Sequence, residues 1–218
     1  AERIDANLFD ATIDDLHTMP KQLYDSKLEK LNAKTKGKLI IKEYPTASAH
    51  SGHFRALLNE LALKKSFKPD VIFIDYLNIC ASARFKGGNI SSYFYIKAIA
   101  EELRGLAVEF DVPIFSATQT TRTGFVSTDI GLEDTSESFG LPATADFMFA
   151  LMSNEELESL GQMKVKQLKN RYNDPSINKA FISGVDRAKM RLYDVAASAQ
   201  NIVDANQTKD NYPTPDKA

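Results

Sequence analysis

Asp70-Val71-Ile72-Phe73-Ile74-Asp75 is a run of four apolar residues bracketed by acids, the pattern of a central parallel strand buried on both faces. Before it, Phe54, Leu57, Leu58 and Leu61 recur at i, i+3, i+4 and i+7, which predicts an amphipathic helix over about 50–65, broken at Lys68-Pro69. After it, Ile96, Ile99, Ala100, Leu103, Leu106, Ala107 and Phe110 line one side of a longer helix, and Lys97, Glu101, Glu102, Arg104 and Glu109 occupy the other. Residues 112–117 and 147–152 are further apolar strands. Residues 162–168 and 179–195 also read as strands, the latter as a pair joined near Gly184 or Asp186-Arg187. Strands alternating with helices predict an α/β fold with a mostly parallel sheet, flanked by helices, and an antiparallel edge formed by the last strands. Sheets of this kind bind ligands at the carboxyl ends of their strands.

Towards the amino terminus, Thr12-Ile13-Asp14-Asp15 and Met19-Pro20 lead into a helix carrying Leu23, Leu28 and Leu31, with Gly37 as its stop. Residues 38–44 read as a short strand ending at Pro45. From Gln200 the composition turns polar, so a folded domain over 1–199 is expected to be followed by a disordered tail over 200–218.

The chain has 218 residues, 43% hydrophobic and 26% charged, with 27 basic and 29 acidic side chains for a formal charge of −2. That is the composition of one soluble globular domain able to bury a sizeable core. A near-neutral balance argues against a protein that coats nucleic acid electrostatically and leaves room for binding by a few loops. No apolar run approaches the roughly 20 residues of a membrane span. The single Cys80 has no internal disulfide partner and reads as a small buried hydrophobe, which fits a reducing cytoplasm.

Asp75 stands where the apolar strand stops, and a carboxylate at such a position can hold Mg2+ through water, since Mg2+ takes hard oxygen ligands. Gln119 ends the next strand in Ser116-Ala117-Thr118-Gln119 and falls at the same sheet edge, where a neutral amide can sense a terminal phosphate or orient a water. Lys169 and Arg171 lie two residues apart, so on an extended segment both point one way. Two such cations suit a phosphate approached from outside, as an arginine finger does. On spacing alone, the same segment reads as a solvated strand face continued from Lys164 and Lys166. Residues 120–141 form a long loop of hydroxyl residues and glycine that also holds Asp129, Glu133, Asp134 and Glu137. A second loop over 81–92 precedes Tyr93-Phe94-Tyr95, which can stack bases or, at a helix start, serve as core. His50 and His53 lack a third ligand nearby, so no metal site is expected there.

No G-x-x-x-x-G-K-[ST] occurs: Lys36-Gly37-Lys38-Leu39 lacks the earlier glycine and the hydroxyl residue, and Lys86-Gly87-Gly88-Asn89 lacks the lysine. These residues therefore do not encode a complete phosphate cradle.

Taken in order, Val71-Ile72-Phe73-Ile74-Asp75-Tyr76-Leu77, residues 98–107, Ala117-Thr118-Gln119, residues 137–147 and Lys169-Asn170-Arg171-Tyr172 resemble one known family. It is the carboxyl-terminal motor domain of the replicative helicases of T4-like bacteriophages, within the DnaB-like hexameric helicases. Arg3-Ile4-Asp5-Ala6-Asn7 matches too, and the resemblance runs from about residue 1 to 195. It implies a RecA-like P-loop NTPase core, a homo-hexameric ring with ATP and Mg2+ between subunits, and ATP-driven translocation along single-stranded DNA that unwinds duplex at the replication fork. Primase and a helicase loader are the further partners it suggests, in the cytoplasm of a host cell. Position by position, Asp75 matches the Walker B carboxylate and Gln119 the sensor of the terminal phosphate. Arg171 matches the arginine finger given to a neighbouring subunit, with Lys169 as its companion. Glu137, Ser138 and Phe139 match the channel loop that grips DNA. The arginine found nearby in bacterial relatives is Ser136 here, which favours backbone amides as the DNA contacts.

In the family, the P-loop and the catalytic glutamate precede the position of Ala1. The resemblance thus leads us to expect a motor domain without its first strand and P-loop, inactive by itself, with exposed apolar surface where sheet is missing. The competing expectation is a non-catalytic RecA-like module used in assembly or loading, against which the joint presence of Asp75, Gln119 and Arg171 speaks.

Overall fold

The structure, a computed structural model, describes residues 2–85, 90–120, 130–134, 140–174, 176–196 and 200. In chain order its elements are α1 (Glu2–Phe9), α2 (Ile13–Thr18), α3 (Lys21–Lys34), α4 (Ser51–Lys65), β1 (Ile72–Ile74), α5 (Ser92–Phe110), β2 (Ile114–Ser116), α6 (Gly140–Thr144), β3 (Phe147–Met152), α7 (Glu155–Ser159), β4 (Gln162–Asn170), β5 (Ala180–Asp186) and β6 (Arg191–Asp194). Short 3-10 turns span Leu77–Ile79 and Leu132–Asp134. β1 and β2 form a two-stranded sheet, and the other strands form a sheet in the order β3-β4-β5-β6. The chain divides into two compact units, Ala1–Lys42 with Leu151–Lys166 and Asn178–Ala218, and Glu43–Ala150 with Gln167–Ile177.

In the first unit, α2 begins with a reciprocal cap. Thr12 Oγ1 accepts from the Asp15 amide, and the Asp15 carboxylate accepts from the Thr12 amide, each at 3.0 Å, so two of the helix's orphan donors are satisfied. Phe9 packs edge-on to Tyr24, ring centroids 5.1 Å apart. β4, β5 and β6 form an antiparallel meander, with Gln162 opposite Gly184 and Gly184 opposite Tyr193. The Tyr193 ring lies over Gly184 so closely that a Cβ there would stand 2.3 Å from it. The hairpin end is tied to α1: Asn7 Nδ2 donates to the Met190 carbonyl at 2.7 Å, and Asp10 pairs with Arg191 at 3.0 Å and Lys189 at 3.3 Å.

In the second unit, β1 and β2 run parallel with Ile72 opposite Ile114 and Ile74 opposite Ser116. One face of this pair is covered. Leu77, Cys80, Ile96, Ile99, Ala100, Leu103 and Leu141 form a buried cluster, and Phe54, Ile74 and Tyr95 pack against it. This is the apolar stripe of α5 at work, and Ile99 and Leu106 are its most deeply buried side chains. Burial pushes the Cys80 thiol above its ordinary range, so Cys80 is the buried hydrophobe its surroundings in the sequence indicate.

Three expectations are corrected. β1 is buried on one face only: Phe73 is 73% exposed and stacks on Phe115, centroids 5.3 Å apart. Residues 38–44 form no strand, since no described strand pairs with them and Leu39 and Ile41 stay exposed. The last strand pair is joined at the second of the two expected places, directly after Asp186, where 187–190 form the turn and Gly184 lies inside β5. α3 closes at Lys34 with Thr35 as its cap, before Gly37. The expected tail lies outside the described residues except Gln200, whose side chain bonds the Ile182 backbone at 2.8 and 2.7 Å. No described helix is long and apolar enough to cross a membrane.

Candidate active site

Parallel pairing of β1 and β2 brings their carboxyl ends to one edge, and Asp75 follows the first as Ala117-Thr118-Gln119 follows the second. Three bonds fix this edge. Ser116 Oγ donates to the Ile74 carbonyl at 2.8 Å, the Leu77 amide donates to the Ala117 carbonyl at 3.2 Å, and Gln119 Nε2 donates to the Tyr76 hydroxyl at 3.2 Å. The Asp75–Tyr76 peptide bond is cis. Asp75 is exposed and makes no ion pair among the described residues, and Gln119 is exposed beside it in the same corner. Thr118 Oγ1 is buried with no hydrogen-bond partner among the described residues.

The loop that leaves this edge is anchored by Glu102 of α5. Its carboxylate accepts from Ser82 Oγ at 2.6 Å, Ser51 Oγ at 2.8 Å, the Ala83 amide at 2.9 Å and the Arg84 amide at 3.3 Å. The Ser82 amide in turn donates to the Tyr95 hydroxyl at 3.1 Å. Partial burial pushes Glu102 towards the neutral form, but these donors together outweigh it and its carboxyl titrates below the ordinary range.

A second cluster forms where β4 ends. Lys169 Nζ donates to the Pro142 carbonyl at 2.6 Å, and Arg171 donates through its amide to the Asp146 carbonyl at 2.9 Å and through its guanidinium to Asp146 Oδ1 at 3.0 Å. Arg104 of α5 reaches the same Oδ1 at 2.9 Å and the Thr144 carbonyl at 2.6 Å. Burial raises the pKa of Asp146, but the two guanidiniums outweigh that and hold it below the usual carboxylate range.

The structure therefore places Asp75 and Gln119 at one sheet edge, and Lys169 and Arg171 at one strand end. Glu137, Ser138 and Phe139 lie outside the described residues. His50 and His53 cap α4. His50 Nδ1 accepts from the Gly52 amide at 3.0 Å and His53 Nδ1 accepts from the His50 amide at 3.3 Å, an arrangement in which a Cβ on Gly52 would meet the His50 ring at 2.7 Å. The described residues contain no cluster of three or more His, Cys, Asp or Glu able to hold a metal ion. Sequence reading missed Asp146 and Arg104 as site residues: an acid directly before an apolar strand marks the strand's start, as Asp70 does, and not the partners that converge on it.

No family model matches the chain. It is 44% identical over 198 residues to a DnaB-like replicative helicase of Enterobacteria phage T4, a match that covers 89% of this chain and 42% of that protein. The chain thus spans about two-fifths of the length of that relative. Among solved structures it resembles an ATPase domain, with a TM-score of 0.70 at 18% identity over 89% of this chain and 69% of the other. It also resembles a DnaB-like replicative helicase studied with primase, with a TM-score of 0.68 at 17% identity over 89% of this chain and 47% of the other. At such identities the two structures establish the fold, which is RecA-like α/β.

Proposed function

From a chain related by sequence to the DnaB-like replicative helicases and folded like an ATPase domain, we propose motor-domain work: ATP-dependent translocation along single-stranded DNA by a homo-hexameric ring that unwinds duplex at a replication fork. The observation that carries this reading is that Asp75 and Gln119 follow the carboxyl ends of adjacent parallel strands, with Gln119 bonded to Tyr76, the residue next to Asp75, where α/β sheets bind their ligands. The donor set fits Mg2+ and a nucleotide phosphate. Asp75 offers hard, exposed carboxylate oxygens without a competing cation among the described residues, and the unpartnered Thr118 hydroxyl is a spare hydrogen-bonding group in the same corner.

In this reading Asp75 holds Mg2+ through water and Gln119 senses the terminal phosphate. Arg171, with Lys169, reaches the nucleotide of a neighbouring subunit, and Glu137, Ser138 and Phe139 grip the DNA backbone. Bound Mg2+ supplies neutralisation of phosphate charge. Primase, a loader and a host-cell cytoplasmic setting belong to the same proposal. Because the 218 residues contain no G-x-x-x-x-G-K-[ST], they neither bind ATP tightly nor hydrolyse it by themselves.

The test has two arms. Titration of the 218-residue chain with a fluorescent ATP analogue is expected to show no binding at micromolar concentration. Replacing the aligned segment of the T4 relative by these residues is expected to restore the P-loop that the family resemblance places ahead of them, and the chimera is expected to hydrolyse ATP with stimulation by single-stranded DNA, an activity lost in Asp75→Asn. A folded, ring-forming chimera without hydrolysis would favour the non-catalytic assembly module instead.

A further inference from the structure

Asp146 stands between two arginines from different elements, Arg104 on α5 and Arg171 at the end of β4, and both guanidiniums bond the same oxygen, at 2.9 and 3.0 Å. We infer that Asp146 is a positioning residue for Arg171: it holds the guanidinium ready at the strand end and releases it to a phosphate. This rests on the reading of Arg171 as the arginine finger.

The backbone reports the same alignment, since the Arg171 amide donates to the Asp146 carbonyl. The start of β3 and the end of β4 are therefore fixed to each other at the residue whose side chain is to be aimed. Arg104 cannot take the finger's part, because it is committed to the Thr144 carbonyl at 2.6 Å as well as to Asp146. It instead keeps the carboxylate ionised and in place. Arg171 is the exposed member, 57% accessible against 39% for Arg104 and 33% for Asp146.

Charge makes the arrangement reversible. Two guanidiniums on one carboxylate leave a net positive charge of one, so an incoming phosphate still meets attraction. An ion pair this exposed is worth little, whereas a guanidinium on phosphate in a water-poor site is a charge-assisted, bidentate contact of greater strength. The carboxylate thus limits where Arg171 can be without competing with its target, and reduces the conformational freedom to be lost when the target arrives. Lys169, tied to the neutral Pro142 carbonyl, adds its charge without consuming the carboxylate.

The test compares Asp146→Asn, Asp146→Glu and Arg171→Ala. In the 218-residue chain with 15N-arginine, the Arg171 guanidinium signal is expected to lose its restricted rotation in Asp146→Asn and to keep it in Asp146→Glu, with amide dispersion unchanged. In the chimera described above, Asp146→Asn is expected to lower kcat by about 10–100-fold with KM for ATP within about twofold, the signature of an interaction made in the transition state. Asp146→Glu restores most of it, and Arg171→Ala costs about 10³-fold or more. Asp146→Asn turning over like the parent while Arg171→Ala is dead would overturn the positioning role. So would Asp146→Glu failing as completely as Asp146→Asn with its fold intact, an outcome that decides the matter even if Asp146→Asn does not fold. Hydrolysis unaffected by Arg171→Ala would instead overturn the finger reading itself.

Discussion

Ser82 and Glu102 are joined by a 2.6 Å hydrogen bond that holds the loop leaving β1 against α5. Ser82 and Ser51, the two buried hydroxyl residues of this network, are 5% and 7% exposed, and both donate to Glu102. Glu102→Ala leaves these hydroxyls and the Ala83 amide without their acceptor, the Arg84 amide keeping Ser82 Oγ at 3.1 Å, at a cost of about 2–3 kcal/mol. The effect depends on pH with a definite sign. Glu102 titrates below its unfolded value when folded, so its stabilisation is fully present above the unfolded carboxyl pKa of about 4.3 and is lost as pH falls through the lower folded value. Urea unfolding should therefore separate parent and Glu102→Gln at pH 7, and the gap should narrow steadily as the pH is taken from about 5 towards 3. A gap that is constant over that range would show that the carboxylate charge contributes nothing.

The Phe73 side of the parallel pair gives a contrast within one strand. Phe73 is 73% exposed and Phe115 48%, while Ile74, next to Phe73, packs into the α5 cluster. Phe73→Ser with Phe115→Ser removes two exposed rings and their stacking, worth about 1 kcal/mol, and should reduce self-association in light scattering because it breaks an exposed apolar patch. Ile74→Ala should cost about 2–4 kcal/mol in thermal or chemical unfolding and leave self-association unchanged. Equal destabilisation by both changes would mean that the Phe73 face is covered in solution.

How far the sequence could be read follows from what each signal encodes. The stripe from Ile96 to Leu106 fixed α5 because a 3.6-residue period over many turns has few alternative explanations. β3 was legible to the residue because six apolar residues are bounded by Asp146 and Ser153. The covering of β1 was not, because an apolar run says that both faces want burial and not what is present to bury them. Residues 38–44 show the same limit: strand propensity by itself forms no ladder. At the site, Asp75 and Gln119 were legible as strand-end polar residues. Asp146 was not, because its role comes from Arg104 and Arg171 converging on it from 42 and 25 residues away, and no local pattern carries that.

Gly184 gives a prediction in the first unit. It is paired with Tyr193 across β5 and β6, and the ring occupies the space where a side chain would start, 2.3 Å from an ideal Cβ. Gly184→Ala must push the ring off the strand, and overpacking of this kind costs about 1–3 kcal/mol. Removing the obstacle should remove the cost, so Gly184→Ala with Tyr193→Ala is expected to be less destabilised than the sum of the two single changes. A double-mutant cycle by chemical denaturation measures that coupling directly, and strict additivity would sink the steric argument.

Thr118 separates stability from function at the sheet edge. Its Oγ1 is buried without a partner among the described residues, and a buried hydroxyl in that state costs about 1–3 kcal/mol of desolvation with nothing returned. Valine has nearly the same shape and no hydroxyl to desolvate. If packing alone fixed this residue, Thr118→Val would raise stability and change nothing else. Stability is expected to rise by about 1 kcal/mol, measured as a shift of the urea midpoint without a change of slope. The proposed function adds a second consequence, because Thr118 lies between Ala117 and Gln119 at the end of β2, where a phosphate would be met. In the chimera that carries a P-loop, Thr118→Val should weaken ATP hydrolysis even as it stabilises the fold, a trade expected where a polar group is kept for a ligand and not for the core. Stabilisation with full activity would show that the hydroxyl serves no ligand at this edge. Destabilisation would show that it has a partner in the folded protein after all.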